Sequence, residues 1–172
     1  DNILFNFQES NRKLDRIQKQ LNDYLEVKRL IFPRFFFLSN DELLSILSET
    51  KDPTLVQPHL GKCFEGIARV NFDKNNDIIE ELVDATAERV KLLNPVNVTR
   101  SEVAGQVELW MLEIEASMRH AIKTNIDTSH RQYPEKERTV WVKEWPGMVI
   151  ICVDMVYWTR ESEAALDEQE NG

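Results

Sequence analysis

Glycine is scarce, at five residues in 172, so long flexible linkers are excluded and regular elements must be joined by short connections. Cysteine is scarcer still. Cys63 and Cys152 lie far apart in apolar contexts, which disfavours a disulfide, and both read as buried free thiols of a reducing compartment. Positive charge is the minority sign. Against 30 Asp and Glu stand 21 Lys and Arg, a formal net charge of −9, which argues against a nucleic-acid partner, since that role needs a basic face. Lys28, Arg29 and Arg34 make the one small basic patch. No hydrophobic run is long enough for a membrane. Met148–Trp158 is interrupted by Asp154 and falls short of the ~20 residues a spanning helix needs. Asp1 opens without a charged region and apolar run, so no signal peptide is read.

What remains is ample for a core: 42% of the residues are hydrophobic, enough for one domain or two small subdomains. A helical pattern starts almost at Asp1, and Glu161–Gln169 begins another that simply stops. Both ends therefore read as cut, and a fragment of a longer chain is expected.

The organising stretch is Phe32–Leu47. Four phenylalanines (Phe32, Phe35, Phe36, Phe37) precede a helix start at Ser39-x-x-Glu42, a capping box in which each side chain satisfies an unpaired backbone N–H. Leu43, Leu44, Ile46 and Leu47 follow at helical spacing. The phenylalanine cluster is assigned to the core rather than to a docking face. Pro33 must end any preceding helix, because it lacks an N–H and clashes one turn back.

Before it, Leu14, Ile17, Leu21, Tyr24/Leu25 and Lys28/Ile31 recur every three or four residues from about Phe7, predicting a long amphipathic helix packed within one domain. After it, Asp52-Pro53 is a helix start, and Pro58 restarts a helix whose face carries Val56, Leu60, Cys63, Phe64 and Ile67. The period then changes to alternation over Ile67–Phe72 and Arg89–Leu93, with the turn run Asp73–Asp77 between them. Two or three short strands fit, and so does one helix over Ile79–Val90. Thr99-x-x-Glu102 is read as a second capping box, opening a helix striped by Val103, Val107, Trp110, Ile114, Met118, Ala121, Ile122 and Ile126, with Leu109 and Leu112 on a second apolar side. In that helix Gly105 costs ~1 kcal/mol relative to alanine. Ile126–Glu137 reads as a polar surface connection. Met148–Trp158, apolar nearly all round, predicts full burial in either helix or strand form. Trp110 and Trp158 are assigned to the core, while Trp141 and Trp145 stay open between the core and an interdomain edge.

Chemistry-bearing patterns fail on their own terms. Gly61-Lys62 lacks the upstream glycine of a phosphate loop. Asp73-x-Asn75-x-Asp77 begins like a calcium loop, but Ile78 stands where glycine must turn and Asp84 is too short for the closing bidentate Glu. His59 and Cys63 lie one helical turn apart, yet His120, His130 and Cys152 supply no matching zinc spacing. Glu113 and Glu115 cannot share a helix face, so a carboxylate pair is not formed by them. Asn97-Val98-Thr99 is a glycosylation sequon, for which Thr99 as helix cap is the preferred alternative. No catalytic, cofactor-binding or metal-ligating residue is assigned.

Three stretches carry a resemblance. Ile17–Leu47 (IQKQLNDYLEVKRLIFPRFFFLSNDELLSIL), Val56–Ile67 (VQPHLGKCFEGI) and Trp141–Thr159 (WVKEWPGMVIICVDMVYWT) resemble, in order, the linker region of dynein heavy chains, with wording nearest the axonemal, inner-arm type. The resemblance implies a mainly α fold of bundle-like helical subdomains with a small antiparallel hairpin or sheet near residues 67–93. It divides the chain into helical 1–66, a β element at 67–97 and helical 98–172, and favours the hairpin over the helix at 79–90 and a helix at 148–158. The chain departs from the family at Asp84–Glu88, where a turn of Ser-x-Glu-Gly-Glu type is usual and no glycine stands here.

In function, the resemblance implies an arm that lies across a ring of AAA+ modules in a microtubule motor and converts ATP-driven changes of the ring into a power stroke. The implied partners are the ring of the same heavy chain, other dynein subunits, and the microtubule through the rest of the motor. ATP and Mg belong to the ring, and a phosphate loop should open it within roughly one to two hundred residues beyond Gly172. The implied location is the cytoplasm, in a ciliary or flagellar axoneme. A hinge within this segment is expected at Ile126–Glu137 or Ile67–Leu93. Two other readings stand beside this one: a stand-alone helical module binding partner proteins, and a calcium- or metal-dependent regulator resting on Asp73–Asp84 alone. The linker reading predicts exposed apolar surface; the module predicts a self-contained fold.

Overall fold

The computed structural model describes residues 2–48 and 52–171. Six helices and three strands follow one another: α1 (Asn2–Ile31), α2 (Asn40–Ser48), α3 (Gln57–Cys63), β1 (Arg69–Phe72), β2 (Ile78–Val83), β3 (Arg89–Asn97), α4 (Val107–Gln132), α5 (Arg138–Trp141) and α6 (Gly147–Asn171). The architecture is mainly α with a small antiparallel sheet of order β1-β2-β3.

Pro33 ends α1 as its chemistry requires, and Pro33–Phe37 forms a short 3-10 turn. The first capping box is present. Ser39 N–H donates to Glu42 at 2.9 Å while Glu42 N–H donates back to Ser39 Oγ at 3.3 Å. Asp52 caps the 3-10 turn Pro53–Val56 by accepting from Thr54 N–H at 2.9 Å, and α3 restarts with Pro58 in its first turn. Val56, Leu60, Cys63, Phe64 and Ile67 are all buried, as their shared helical face predicts.

Residues 78–90 form β2, a turn and the start of β3, not a helix. Asp73 accepts the N–H groups of Asp77 and Ile78, which closes the first hairpin turn. In the second turn Asp84 accepts from Thr86 and Glu88, and Ala87 takes φ 68°, the left-handed region that glycine occupies without steric cost. Between β2 and β3 the register slips: Ile79 faces Val96 while Glu81 faces Lys91, so β3 bulges over residues 92–95. Pro95 sits in that bulge, where its missing N–H breaks no ladder bond. Ser117 Oγ on α4 donates to Asn94 O at 2.5 Å and ties the bulge down. On the opposite edge the Gln57 carboxamide takes both backbone groups of Val70, donating to its carbonyl at 2.8 Å and accepting from its N–H at 3.0 Å.

Several expectations are corrected. Thr99 caps no helix; its N–H and hydroxyl both donate to Asn97 Oδ1, Gly105 turns at φ 73°, and α4 begins only at Val107. Gly105 therefore costs α4 nothing. Ile126–Glu137 is no open connection, since α4 runs to Gln132 and Tyr133–Glu135 adds a 3-10 turn around a buried Tyr133. Residues 148–158 are helical but only Val149 and Val153 are buried, and Met148, Ile151, Met155 and Trp158 are exposed. Among the aromatics Trp110 and Trp141 are core residues and Trp158 is not. Cys63 is a buried free thiol, whereas Cys152 is exposed. The phenylalanines divide, with Phe32 and Phe35 fully buried and Phe36 and Phe37 exposed. Of the α1 stripe, Leu25 is buried and Leu21 packs beside the core, while Leu14 and Ile17 are exposed.

Two hydrophobic cores result. The larger gathers Leu25, the buried phenylalanines, α2, α3, the sheet and the first half of α4. The smaller joins Tyr133, Trp141, Val149 and Val153, with Ile126, Trp145, Ile150 and Tyr157 against it. Helix α4 is the element they share.

Candidate functional site

The region with most polar and aromatic organisation is the seam where α1, the Pro33–Phe37 turn, α3 and α4 meet. Phe32 meets Phe35 edge-on at 4.9 Å and Phe64 at 5.9 Å. The three cations of the predicted basic patch are all engaged there. Arg29 donates to the carbonyls of Phe35 (3.3 Å) and Leu38 (3.1 Å). Arg34 lies 5.0 Å over the Phe64 ring, donates to Cys63 O at 3.1 Å and reaches Glu115 at 3.4 Å. Lys28 forms an ion pair with the buried Glu108. These cations fasten backbone turns and helices together.

The carboxylates of this seam are tuned the same way. Hydrogen bonding from Arg119, then from Arg34, holds the Glu115 carboxyl below its usual range. Glu42 is lowered to about 2, chiefly by Lys62 and then by the Ser39 N–H. Burial pushes the Cys63 thiol up to about 11, so it stays protonated and is a poor nucleophile and metal ligand at neutral pH.

Behind the seam a cavity of about 530 Å³ opens between the sheet, the Phe64–Ile67 connection, α4 and the start of α6. Leu82, Val90, Met118 and Ile122 give it an apolar wall, and Pro146 and Met148 stand at its α6 side. Beyond it, Tyr133 stacks on Tyr157 at 4.0 Å and meets Trp141 edge-on at 4.9 Å. Trp141 Nε1 donates to Ser129 O at 3.2 Å. Arg138 covers Tyr133 and pairs with Glu161 at 2.6 Å, which staples α5 to α6.

The chain matches the family model described as "Dynein heavy chain, N-terminal region 2" over residues 1–129. It belongs to the dynein heavy chain family. It is 48% identical over 170 residues to dynein axonemal heavy chain 12 of Rattus norvegicus, covering 99% of this chain and 5% of that protein. Dynein axonemal heavy chain 3 of Mus musculus is 49% identical over 161 residues, 94% of this chain and 4% of the relative. Dynein axonemal heavy chain 1 of Mus musculus is 46% identical over 165 residues, 96% of this chain and 4% of the relative. The chain thus spans about one-twentieth of the length of these curated relatives.

Within this dynein segment the chemistry-bearing patterns of the sequence stay apart. Lys62 pairs with Glu42, which occupies it structurally. Asp73 is taken up by its own turn, as its lowered carboxyl reflects, with the Ile78 N–H as the leading cause. His130 lies against the Tyr157 ring at 5.0 Å, and His59 and Cys63 acquire no third ligand: among the described residues no three His, Cys, Asp or Glu side chains converge for a metal. What sequence reasoning missed is Glu108, a carboxylate placed at a core position of the first turn of α4. Nothing in the stripe Val103, Val107, Trp110 and Ile114 marks it, because that spacing is unbroken around Glu108.

Proposed function

We propose that this segment is part of the mechanical linker of an axonemal dynein heavy chain. In that role it makes and breaks no bonds. It transmits to the rest of the motor the changes that ATP hydrolysis, with Mg, drives in an AAA+ ring elsewhere in the same chain, and it works on microtubules of a cilium or flagellum. Its partners are that ring and other dynein subunits.

One observation supports this reading over a self-contained binding module. The first and last helices both leave apolar stripes uncovered: Ile3, Leu4, Phe5, Phe7, Leu14 and Ile17 on α1, and Met148, Ile151, Met155 and Trp158 on α6. Surface of this extent calls for cover by further protein. Stiffness within the segment comes from the bonds already described, in which every cation of the α1–α3 seam fastens a turn or a helix.

The test is made in the full heavy chain. Replacing the exposed Met155 and Trp158 of the α6 stripe by serine should slow microtubule gliding while leaving ATP turnover without microtubules near that of the unaltered motor. Gliding at the unaltered speed would overturn the assignment of this face to force transmission.

A further inference from the structure

The two cores are joined by α4, which is continuous from Val107 to Gln132, and by little else that is polar. Met118 and Ile122 border the apolar cavity where α4 passes between them. Across the mouth of that cavity the Gly147 N–H, at the start of α6, donates to Glu88 Oε1 at 2.6 Å. This hydrogen bond ties the β2–β3 turn to the start of α6.

The contact is well prepared on both sides. A carboxylate at the N-terminus of a 25-residue helix meets unpaired N–H groups and the positive end of the helix dipole. Glu88 is set in place by its turn: its N–H donates to Asp84 Oδ1 at 2.8 Å, and Ala87 beside it holds a left-handed backbone. The Asp84–Thr86 bonds further fix the turn that presents the carboxylate. Yet Glu88 is itself exposed, so water competes for the same N–H. Behind it lies apolar cavity, not interlocked packing. A defined but water-accessible bond across a gap closes readily and opens readily.

We propose that Glu88 and Gly147 form a clasp that holds the α5–α6 unit against the sheet and covers the cavity. Its release lets the α5–α6 unit, with the end of α4 on which it packs, swing from the sheet and exposes the Leu82, Val90, Met118 and Ile122 wall. This rests on the geometry of the chain alone and stands whether or not the segment serves as a motor linker.

Spin labels on this chain test it, attached through Lys74→Cys in the first hairpin turn and Glu163→Cys on α6, with Cys152→Ser to remove the exposed native thiol. Electron–electron double resonance should give one narrow distance distribution. Glu88→Ala should broaden it or add a second, and should raise the fluorescence of an added anilinonaphthalene sulfonate dye. Glu88→Gln, which keeps an acceptor oxygen, should fall between. A control pair of exposed positions on either side of the smaller core, Lys143→Cys with Glu163→Cys, should not change. Gly147→Pro breaks the bond from the donor side at a first helical position where proline fits, so it should reproduce Glu88→Ala. If the control pair also broadens in Glu88→Ala, Gly147→Pro decides. A narrow distribution and unchanged dye fluorescence in Gly147→Pro would overturn the clasp.

Discussion

Lys28, in the last turns of α1, meets Glu108, in the first turn of α4, although 80 residues separate them. The Glu108 side chain is 1% exposed and that of Lys28 15% exposed, and among the described residues the second Glu108 oxygen has no hydrogen-bond partner. The pair fixes where α1 crosses α4. It does so at a desolvation cost that a pair of apolar side chains would not incur.

Breaking it from one side strands a buried charge. Lys28→Met should lower unfolding free energy by about 3–5 kcal/mol in urea titrations, whereas Lys28→Met with Glu108→Leu should recover most of that loss. A double variant as unstable as the single one would show that packing, not charge, is what the single variant lost.

Ala87 gives a prediction of opposite sign. The left-handed region costs an L-residue roughly 1–2 kcal/mol, and glycine surrenders roughly 0.5–1 kcal/mol of that through the unfolded chain. Ala87→Gly should therefore raise the urea midpoint by an amount equal to about 0.5–1 kcal/mol. Asn76→Gly, at φ 61° but with a residue that tolerates this region, should gain less.

The tryptophans separate a core role from a surface one. Trp141→Ala removes a side chain only 2% exposed, with its Nε1 bond to Ser129, and should cost about 3–5 kcal/mol. Trp158→Ala, at 61% exposure, should change stability in this chain by no more than about 0.5 kcal/mol.

Thiol labelling should distinguish the two cysteines. In the native chain at neutral pH a disulfide reagent should modify Cys152 alone, and both thiols should react in urea. The folded Cys63 titrates near 11 against an ordinary 9.0, so its contribution to stability is present below pH 9 and is lost as pH rises toward 11.

Acid acts through Glu42. Its folded-state carboxyl titrates at about 2 against an ordinary 4.5, so its contribution is present above pH 4.5 and is lost as pH falls toward 2. Melting temperature followed across that window should fall less steeply in Glu42→Gln than in the unaltered chain.

The same motif was legible at one place and misleading at another. After Ser39-x-x-Glu42 the apolar spacing begins at once with Leu43, so capping and burial agree. After Thr99-x-x-Glu102 two local competitors intervene: the Asn97 carboxamide takes the N–H groups of Thr99 and Arg100, and Gly105 turns left-handed, which delays the helix to Val107. Burial of α6 was overread because an all-round apolar sequence says that cover is wanted, not that this stretch of chain supplies it. The strands at 78–90 were underdetermined by short apolar runs and followed from the resemblance. The Lys28–Glu108 pair and the Glu88–Gly147 bond join residues 80 and 59 positions apart, and no local pattern announces either.

The Gln57 carboxamide on β1 has a consequence beyond its two bonds. An unpaired strand border is a template on which a neighbouring chain can polymerise, and at Val70 that template is already filled by a side chain of the same molecule. Where many copies of a protein are crowded side by side, such an occupied border guards against cross-chain β aggregation without lengthening the sheet.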